Sequence, residues 1–569
     1  MNKLIDAYGG KLHNGLVADP TVLQRQMLTM PQWTLSQRQL CDVELLLNGG
    51  FSPLTGFMDQ ATYDGVVNTM RLPNGLLWPM PIVLDVSEDF AESISQGSQI
   101  SLIDEEGLPI AVLTINDYWR ADHQHEAEQV YGTTSKEHRG VQYLYDKTNP
   151  VYLGGELQGL RLPIYHDFRQ LRFTPDELRR EFQHLGWYKV VGFQTRNPMH
   201  RAYHEVTAHA AKDVEANLLI HPVVGATMNG DVDHYTRVRC YKSIIKYYPE
   251  QSTMLSLLPL AMRMAGPREA LWHAIIRQNY GCSHFIIGRD HAGPSPAKDG
   301  TPFYGPYDAQ ELVNQYRNEL GIQIVTYPEM VYVEEKAEYI PVTETTSDQH
   351  LLRLSGTELR RRLKAGLDVP KWFSYPEVIT ELRRTFPPRY QQGFTVFFTG
   401  LSGAGKSTLA KALYSKLMET GGRSVTLLDG DIVRHNLSSE LGFSKHDRDI
   451  NIQRIGFVAT EITKHHGIAI CAPIAPYHST RHAIREQIQE VGGFIEIYVS
   501  TSLEVCEQRD RKGLYSKARA GIIKDFTGVS DPYEVPEAPE LEIDTQTKLP
   551  DECVQEILLK LEHLGYIRV

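Results

Sequence analysis

The sequence predicts an α/β multidomain protein: a β-rich N-terminal domain, then two separate stretches of alternating strands and helices. Three observations carry this. Near the N-terminus, short strand-like runs at 82–86 and 110–115 sit among Gly/Pro turns. From 188 onward, short apolar strands at 188–193, 216–221, 253–258, 284–288 and 322–327 are separated by helix-like segments, the pattern of a parallel sheet. The same style returns with strands at 394–398, 424–428, 468–472 and 494–499.

The punctuation between these stretches sets the domain expectation. Phe-Pro-Pro-Arg-Tyr-Gln-Gln-Gly at 386–393 ends a helical pattern with two prolines, and a new strand starts at Phe394. A softer boundary lies near 162–174, where a polar stretch leads into a helix-like segment at 175–185. The expected domains are 1–167, 168–328, 329–390 and 391–569. A chain of 569 residues has room for these at roughly 100–200 residues each.

Composition excludes several classes. Apolar content of 41% and charged content of 22% are ordinary for a globular protein with packed cores. A formal net charge of −12 argues against nucleic acid as a partner, which calls for a basic footprint. An anionic substrate must then be held by local donors. The 6 cysteines form no Cys-x-x-Cys pair, so they read as reduced thiols. The polar start lacks an apolar signal core, and no apolar run reaches the ~18 residues of a membrane span. The expectation is a soluble, cytoplasmic protein that avoids membranes.

The sharpest motif is Gly-Leu-Ser-Gly-Ala-Gly-Lys-Ser at 400–407, which follows a strand and precedes a helical run at 409–417. This is the P-loop pattern in its required context. Gly400, Gly403 and Gly405 let backbone N–H groups converge on phosphate, and the helix N-terminus, with Thr408 in its first turn, favours the anion. Lys406 reaches the β/γ-phosphates of ATP and Ser407 ligates Mg²⁺. Asp429-Gly-Asp431 ends the next strand, at the sheet edge where ligands bind; Asp429 is a second candidate Mg²⁺ ligand and Asp431 a proton acceptor.

Further motifs follow in order: Arg434; Gly-Phe-Ser at 442–444; Asp447-Arg448-Asp449-Ile450-Asn451; Lys512-Gly-Leu-Tyr; Phe526-Thr-Gly; and Asp531-Pro-Tyr-Glu. Together with the P-loop they make the region from about 394 to the end resemble adenosine 5′-phosphosulfate kinase. The resemblance implies that Asp431 is the catalytic acid/base near the 3′-hydroxyl and that Lys406 serves the transfer. It also implies that Arg434, Arg448, Asn451 and Lys512 contact the substrate anion and ribose, with Phe443 and Phe526 flanking the adenine. Arginine forks suit phosphosulfate, and aromatic faces suit a base. One departure is Ile474-Ala475-Pro476, where such kinases often have Ile-Ser-Pro, so a phosphoserine there is impossible.

The central stretch carries Gln194-Thr195-Arg196-Asn197-Pro198-Met199-His200 after a strand, and the pattern predicts that a helix opens at Pro198. Arg196, His200 and the helix N–H groups would then make an anion site. Gly288-Arg289-Asp290-His291-Ala292-Gly293-Pro294 follows a later strand, and Met264-Ala-Gly-Pro-Arg268 adds a third loop. With Leu-Leu-Asn-Gly-Gly-Phe-Ser-Pro-Leu-Thr-Gly-Phe at 46–57, Ser-Gly-Thr-Glu-Leu-Arg at 355–360 and Pro-Lys-Trp-Phe at 370–373, these make the chain from about 12 to 388 resemble ATP sulfurylase (sulfate adenylyltransferase).

That resemblance implies a PUA-like N-terminal domain, a Rossmann-like nucleotidyltransferase domain and a small α/β extension. It places sulfate on Gln194, Arg196 and the Ala292 backbone. Thr195, Arg196, Asn197 and His200 form the catalytic group. Gln194 to Asn197, Gly288, Arg289, Asp290, His291 and Met330 line the ATP pocket. Sulfate is a weak, dianionic nucleophile attacking a polyanion, so catalysis reduces to positioning and charge neutralisation, with Arg196, His200 and Mg²⁺ offsetting charge. The family's second histidine, three residues after the first, is Tyr203 here, with His204 one position later. Positions i+3 and i+4 share a helix face, so either could serve, and Tyr203 is the expected one.

The combined reading is an enzyme that makes adenosine 5′-phosphosulfate from ATP and sulfate, then phosphorylates it with a second ATP. Both families are usually homo-oligomers. The alternative makes the C-terminal domain a regulatory nucleotide-binding module, as in fungal relatives with a degraded P-loop; the intact P-loop and Asp pair favour catalysis. A zinc site on His200 and His204 has no evident third ligand.

Overall fold

The computed structural model describes residues 3–225, 232–442, 444–510 and 513–568; the side chain of Asp431 also lies outside the description. The chain forms two compact units, Met1–Ser355 with Val369–Leu382, and Gly356–Asp368 with Arg383–Val569.

The first unit begins with a six-stranded sheet. Its strands are β1 (Gln32–Thr34), β2 (Gly56–Phe57), β3 (Leu84–Val86), β4 (Gln99–Ile103), β5 (Pro109–Arg120) and β6 (Val151–Gly159), in the order β1-β4-β5-β6-β2, with β3 also on β6. The long antiparallel partners β5 and β6 change register between Ile115 and Asp117, an extra residue that increases local twist. Ile100, Ile110, Leu113 and Leu153 are fully buried beneath it.

A five-stranded parallel sheet follows: β7 (Val190–Phe193), β8 (Asn217–Ile220), β9 (Thr253–Leu255), β10 (His284–Ile287) and β11 (Gln323–Thr326), ordered β11-β10-β7-β8-β9. The chain runs outward from β7 through β8 to β9, then returns to the other side of β7. The crevice between the carboxyl ends of β7 and β10 is therefore the topological switch point, where open α/β sheets bind ligands. Helices α1 (Arg201–Asp213), α2 (His234–Ile245) and α3 (Gly266–Asn279) pack around this sheet. α3 is the central one: Ala270 to Ile276 are at most 0% exposed. It ties the two sheets together. Asn279 donates to the Gly50 and Ser52 carbonyls (3.0 and 2.9 Å) and accepts from the Tyr8 N–H. Just before α3, Arg263 meets Asp42 in a buried ion pair of 2.5 Å. A small antiparallel sheet, β12 (Met330–Val333), β13 (Glu338–Pro341) and β14 (Leu351–Leu352), completes the unit.

The second unit is another parallel sheet: β15 (Phe394–Thr399), β16 (Val425–Asp429), β17 (Ile468–Ala472), β18 (Gly493–Val499) and β19 (Leu541–Ile543), ordered β16-β17-β15-β18-β19. Each of the first four realises an apolar run expected from sequence; β19, three residues long, was not anticipated. Phe394, Val396, Phe397 and Phe398 on the central strand are fully buried. Helices α4 (Lys406–Thr420), α5 (Gly430–Asn436) and α6 (Lys445–Lys464) carry the motifs. Among the described residues, no helix is long and apolar enough to cross a membrane.

Candidate active sites

In the first unit, the loop after β7 lies at the switch point. Its backbone is shaped by Thr195, whose Oγ1 accepts the Asn197 N–H (3.1 Å) and donates to the Asn197 carbonyl (3.2 Å). This local closure competes with helix formation. The first helical N–H, that of Arg201, is taken by the Phe373 carbonyl at 3.1 Å. The helix therefore opens at Arg201 with His200 as N-cap in extended conformation, and not at Pro198. Pro198 and Met199 are buried in the preceding extended segment.

Two side chains on α2, one turn apart, pin this loop from beneath. Arg237 Nη1 donates to the Val223 and Arg196 carbonyls (2.9 and 3.3 Å), and the Tyr241 hydroxyl donates to the Asn197 carbonyl at 2.9 Å. Both are buried. Sequence reasoning missed them; the i, i+4 pairing of a cation and a phenol on a predicted helix was the available signal.

Above the pins, Gln194 Nε2 sits 3.9 Å from the Met262 sulfur, and its Oε1 is buried with no partner among the described residues. Arg196 Nη1 lies 3.7 Å from the Met264 sulfur. His200 Nδ1 pairs with Ser374 Oγ at 2.8 Å, and its ring packs on Phe373 at 4.6 Å. Burial pushes His200 down to about 4, so it is neutral near pH 7. In this free state it offers a hydrogen bond, not the positive charge expected of it.

Tyr203 and His204 diverge. Tyr203 packs on Phe193 at 5.9 Å and is 36% exposed. Desolvation lifts its phenol above the ordinary value, opposed by the Asn197 side chain and the Arg196 charge, which places it beside the loop. His204 turns away: its Nδ1 pairs with the Tyr375 hydroxyl at 3.2 Å and its ring lies on Tyr248 at 4.5 Å. No group of three or more His, Cys, Asp or Glu suited to a metal occurs among the described residues.

The loop after β10 forms the other wall. Gly288 follows the strand. Arg289 spans Asp290 (3.1 Å) and Glu329 (3.2 Å). Asp290 and Ala292 are both left-handed (φ 54° and 55°), and the Ala292 carbonyl accepts the Gly266 N–H at 3.1 Å. His291 turns inward, Nε2 to Nδ1 of His273, 3.0 Å apart. Met330 opens β12 and is buried. Arg268 does not join them: it donates to the carbonyls of Val66 and Val67.

In the second unit the P-loop leaves β15, the central strand. Gly405 (φ 110°) caps α4 in a conformation closed to other residues without strain. Lys406 Nζ folds back onto the Gly400 and Leu401 carbonyls (2.9 and 2.7 Å), while Ser407 Oγ donates to Asp429 Oδ1 at 3.2 Å. Thr408 belongs to the first turn. A hydroxyl and a carboxylate oxygen so placed, beside a phosphate loop, fit Mg²⁺. The Tyr515 hydroxyl donates to the Ser402 carbonyl at 2.8 Å, tying the later motif to this loop.

Asp429 ends β16, but Asp431 already lies within α5, so the two do not both end the strand. Arg434 donates to the Gly442 carbonyl at 3.1 Å. Arg448 grips a different segment: it reaches Thr527 Oγ1 (2.7 Å), Asp531 Oδ2 (2.6 Å) and the Asp525 carbonyl (2.8 Å). It thereby fixes the turn bearing Phe526, whose ring meets Tyr515 edge-on at 5.0 Å. Asn451 is buried, with Oδ1 unpartnered among the described residues. Phe443 and Lys512 lie outside the described residues, as does the side chain of Asp431.

Comparison with known proteins matches residues 5–162 to a PUA-like domain, 169–385 to the ATP-sulfurylase family and 392–544 to adenylylsulphate kinase. A relative from Chaetomium globosum called sulfate adenylyltransferase is 51% identical over 566 residues, 98% of this chain and 99% of its own length. One of the same name from Mycosarcoma maydis is 51% identical, with 98% of each chain covered. A solved structure described as a hexameric APS kinase from Thiobacillus denitrificans superimposes with a TM-score of 0.82 at 43% identity, covering 100% of both chains.

Proposed function

The chain belongs to the sulfate adenylyltransferase family and carries an adenylylsulphate kinase segment in the same polypeptide; from this we propose that it activates sulfate in two steps. Both resemblances read from the motifs hold, as does the architecture of PUA-like, sulfurylase and P-loop kinase parts. In the first step a sulfate oxygen attacks the α-phosphorus of ATP, and the bond to pyrophosphate breaks. Gln194 and Arg196 hold sulfate with the Ala292 N–H, Thr195 and Asn197 shape the loop, and His200 and Tyr203 donate hydrogen bonds to phosphoryl oxygens. Gly288 to His291 and Met330 line the nucleotide pocket. In the second step the 3′-hydroxyl of adenosine 5′-phosphosulfate attacks the γ-phosphorus of another ATP, Asp431 takes the hydroxyl proton, and ADP leaves. Lys406 and the P-loop amides neutralise the phosphates, while Arg434, Arg448, Asn451, Lys512, Phe443 and Phe526 hold the acceptor. Ser407 and Asp429 would hold Mg²⁺, which would supply further charge neutralisation.

The observation that carries this reading is the complete P-loop with Ser407 on Asp429 in the same chain as a sulfurylase-type switch-point loop. Incubation with ATP, Mg²⁺ and labelled sulfate, with separation of nucleotides, should yield first the 5′-phosphosulfate and then its 3′-phosphorylated form. A second reading is a kinase with a silent first site. It is favoured by Tyr203 in place of a histidine and by the full-length neighbour named for kinase activity alone. Under it, labelled sulfate would stay inorganic while supplied adenosine 5′-phosphosulfate is phosphorylated. The protein is expected to be a cytoplasmic homo-oligomer, in keeping with that hexameric neighbour.

A further inference from the structure

Helix α3 is buried along its length, yet one of its faces carries Glu269, His273 and Arg277 at four-residue spacing, all 0% exposed. Such a polar stripe in a dry environment is costly unless each group is paired. Glu269 is paired at its start: its carboxylate accepts the Arg263 and Ala265 N–H groups at 2.8 and 2.9 Å. Its Oε1 lies 3.3 Å from His273 Nε2, a charge contact without hydrogen-bond geometry, and His273 Nδ1 is hydrogen-bonded to His291 Nε2 at 3.0 Å. The three groups form a continuous line from the helix N-terminus to the β10 loop.

The proton positions follow from donor inventory. Burial pushes both imidazoles below their ordinary value, with His273 and Arg277 adding to the effect on His291. Burial opposes ionisation of Glu269, but His273 and the two N–H groups hold it below the usual carboxylate range. An ionised carboxylate favours the proton on the ring nitrogen that faces it, so Nε2 carries the His273 proton. Nδ1 of His273 is then a lone pair, and His291 must present its own proton on Nε2.

His291 sits between Asp290 and Ala292, both left-handed at φ 54° and 55°. Each such non-glycine residue is strained and persists only where its surroundings over-determine it. We propose that Glu269 and His273 are positioning residues: they lock the His291 imidazole inward and so hold the strained 290–292 turn that walls the switch-point crevice. The link to substrate rests on the sulfurylase reading of that crevice.

The test uses the full chain. His273→Phe keeps a ring and loses both nitrogens, whereas His273→Asn keeps an acceptor at the Nδ1 position. Trypsin cleavage after the half-exposed Arg289, identified by mass, should be about tenfold faster in His273→Phe and within about threefold of the parent in His273→Asn. The KM for sulfate should follow the same order, with phosphorylation of supplied adenosine 5′-phosphosulfate unchanged. Should His273→Phe fail to fold, His291→Leu against His291→Gln, which retains a donor at the Nε2 position, asks the same question. Equal cleavage across the parent, Phe and Asn variants, or equal acceleration in Phe and Asn, overturns the proposal. If the parent makes no 5′-phosphosulfate, the functional reading fails while the cleavage comparison still decides the anchoring.

Discussion

His200 Nδ1 and Ser374 Oγ are 2.8 Å apart although 174 residues separate them in the chain. The hydroxyl commits Nδ1 of a neutral imidazole to the protein, so that in the proposed reaction Nε2 is the nitrogen that would face the nucleotide phosphates. Ser374→Ala should slow adenylylation by about tenfold, the scale of a lost orienting bond, and leave the kinase step intact. Parallel assays with labelled sulfate and with supplied adenosine 5′-phosphosulfate measure both. An unchanged first step would show the pairing to be idle.

Tyr203 and His204 should separate cleanly by variant. Tyr203 stands beside Asn197 and Arg196, so Tyr203→Phe should slow adenylylation by about 10–100-fold with little change in stability. His204 is packed on Tyr248 and bonded to Tyr375, so His204→Ala should lower unfolding free energy by about 1–2 kcal/mol and affect rate less. The reverse ranking in steady-state rates would assign the catalytic place to His204.

Lys406→Ala should abolish 3′-phosphorylation and spare the first step. The ammonium now held by the Gly400 and Leu401 carbonyls is the group that phosphate must recruit. Accumulation of adenosine 5′-phosphosulfate from labelled sulfate, without its 3′-phosphorylated form, is the expected chromatogram. Normal 3′-phosphorylation would remove the P-loop from the reaction.

Two buried histidines should make the first unit less stable in mild acid than it would be without them. Burial depresses both His138 and His200 from 6.5 to about 4. The unfolded chain takes up these protons first as pH falls, so the histidine contribution is flat above about 6.5 and declines from there to about 4, against the opposite contribution of the Glu44 carboxyl, which burial pushes up to about 7. All 6 tryptophans lie in this unit, so their fluorescence follows it selectively during urea unfolding. Between pH 7.5 and 5 the unfolding free energy of the parent should fall relative to that of His138→Asn by an amount on the order of 1–2 kcal/mol. His138→Asn, which retains an acceptor for the Gly140 and Val141 N–H groups, should flatten the slope. Parallel pH profiles for the parent and His138→Asn would contradict the assignment.

Much of the fold was legible because its strands are short apolar runs bounded by helix-like segments; β7 to β11 and β17 fall within them, and β15, β16 and β18 each overrun them by one residue. β19 was not, since three residues carry no period and their place is set by pairing with β18. The P-loop was legible because its chemistry is local. The start of α1 was misread: proline favours a first helical turn, but the Thr195 closure and the Phe373 carbonyl, 172 residues after Arg201, outweigh that preference. Arg237, Tyr241, Ser374 and His273 act at long range, through contacts that no local spacing encodes.

The chain passes from the first unit to the second after Ser355, returns at Val369 and leaves again after Leu382. No single cut can therefore deliver both units whole. A gene divided in the proline-rich stretch at 386–393 would strand the helix Gly356–Ala365, with its buried Leu359 and Leu363, on the wrong product. The two units are thus interleaved along the backbone, and a cut that frees Arg383–Val569 leaves the Gly356–Asp368 segment of the second unit on the other product.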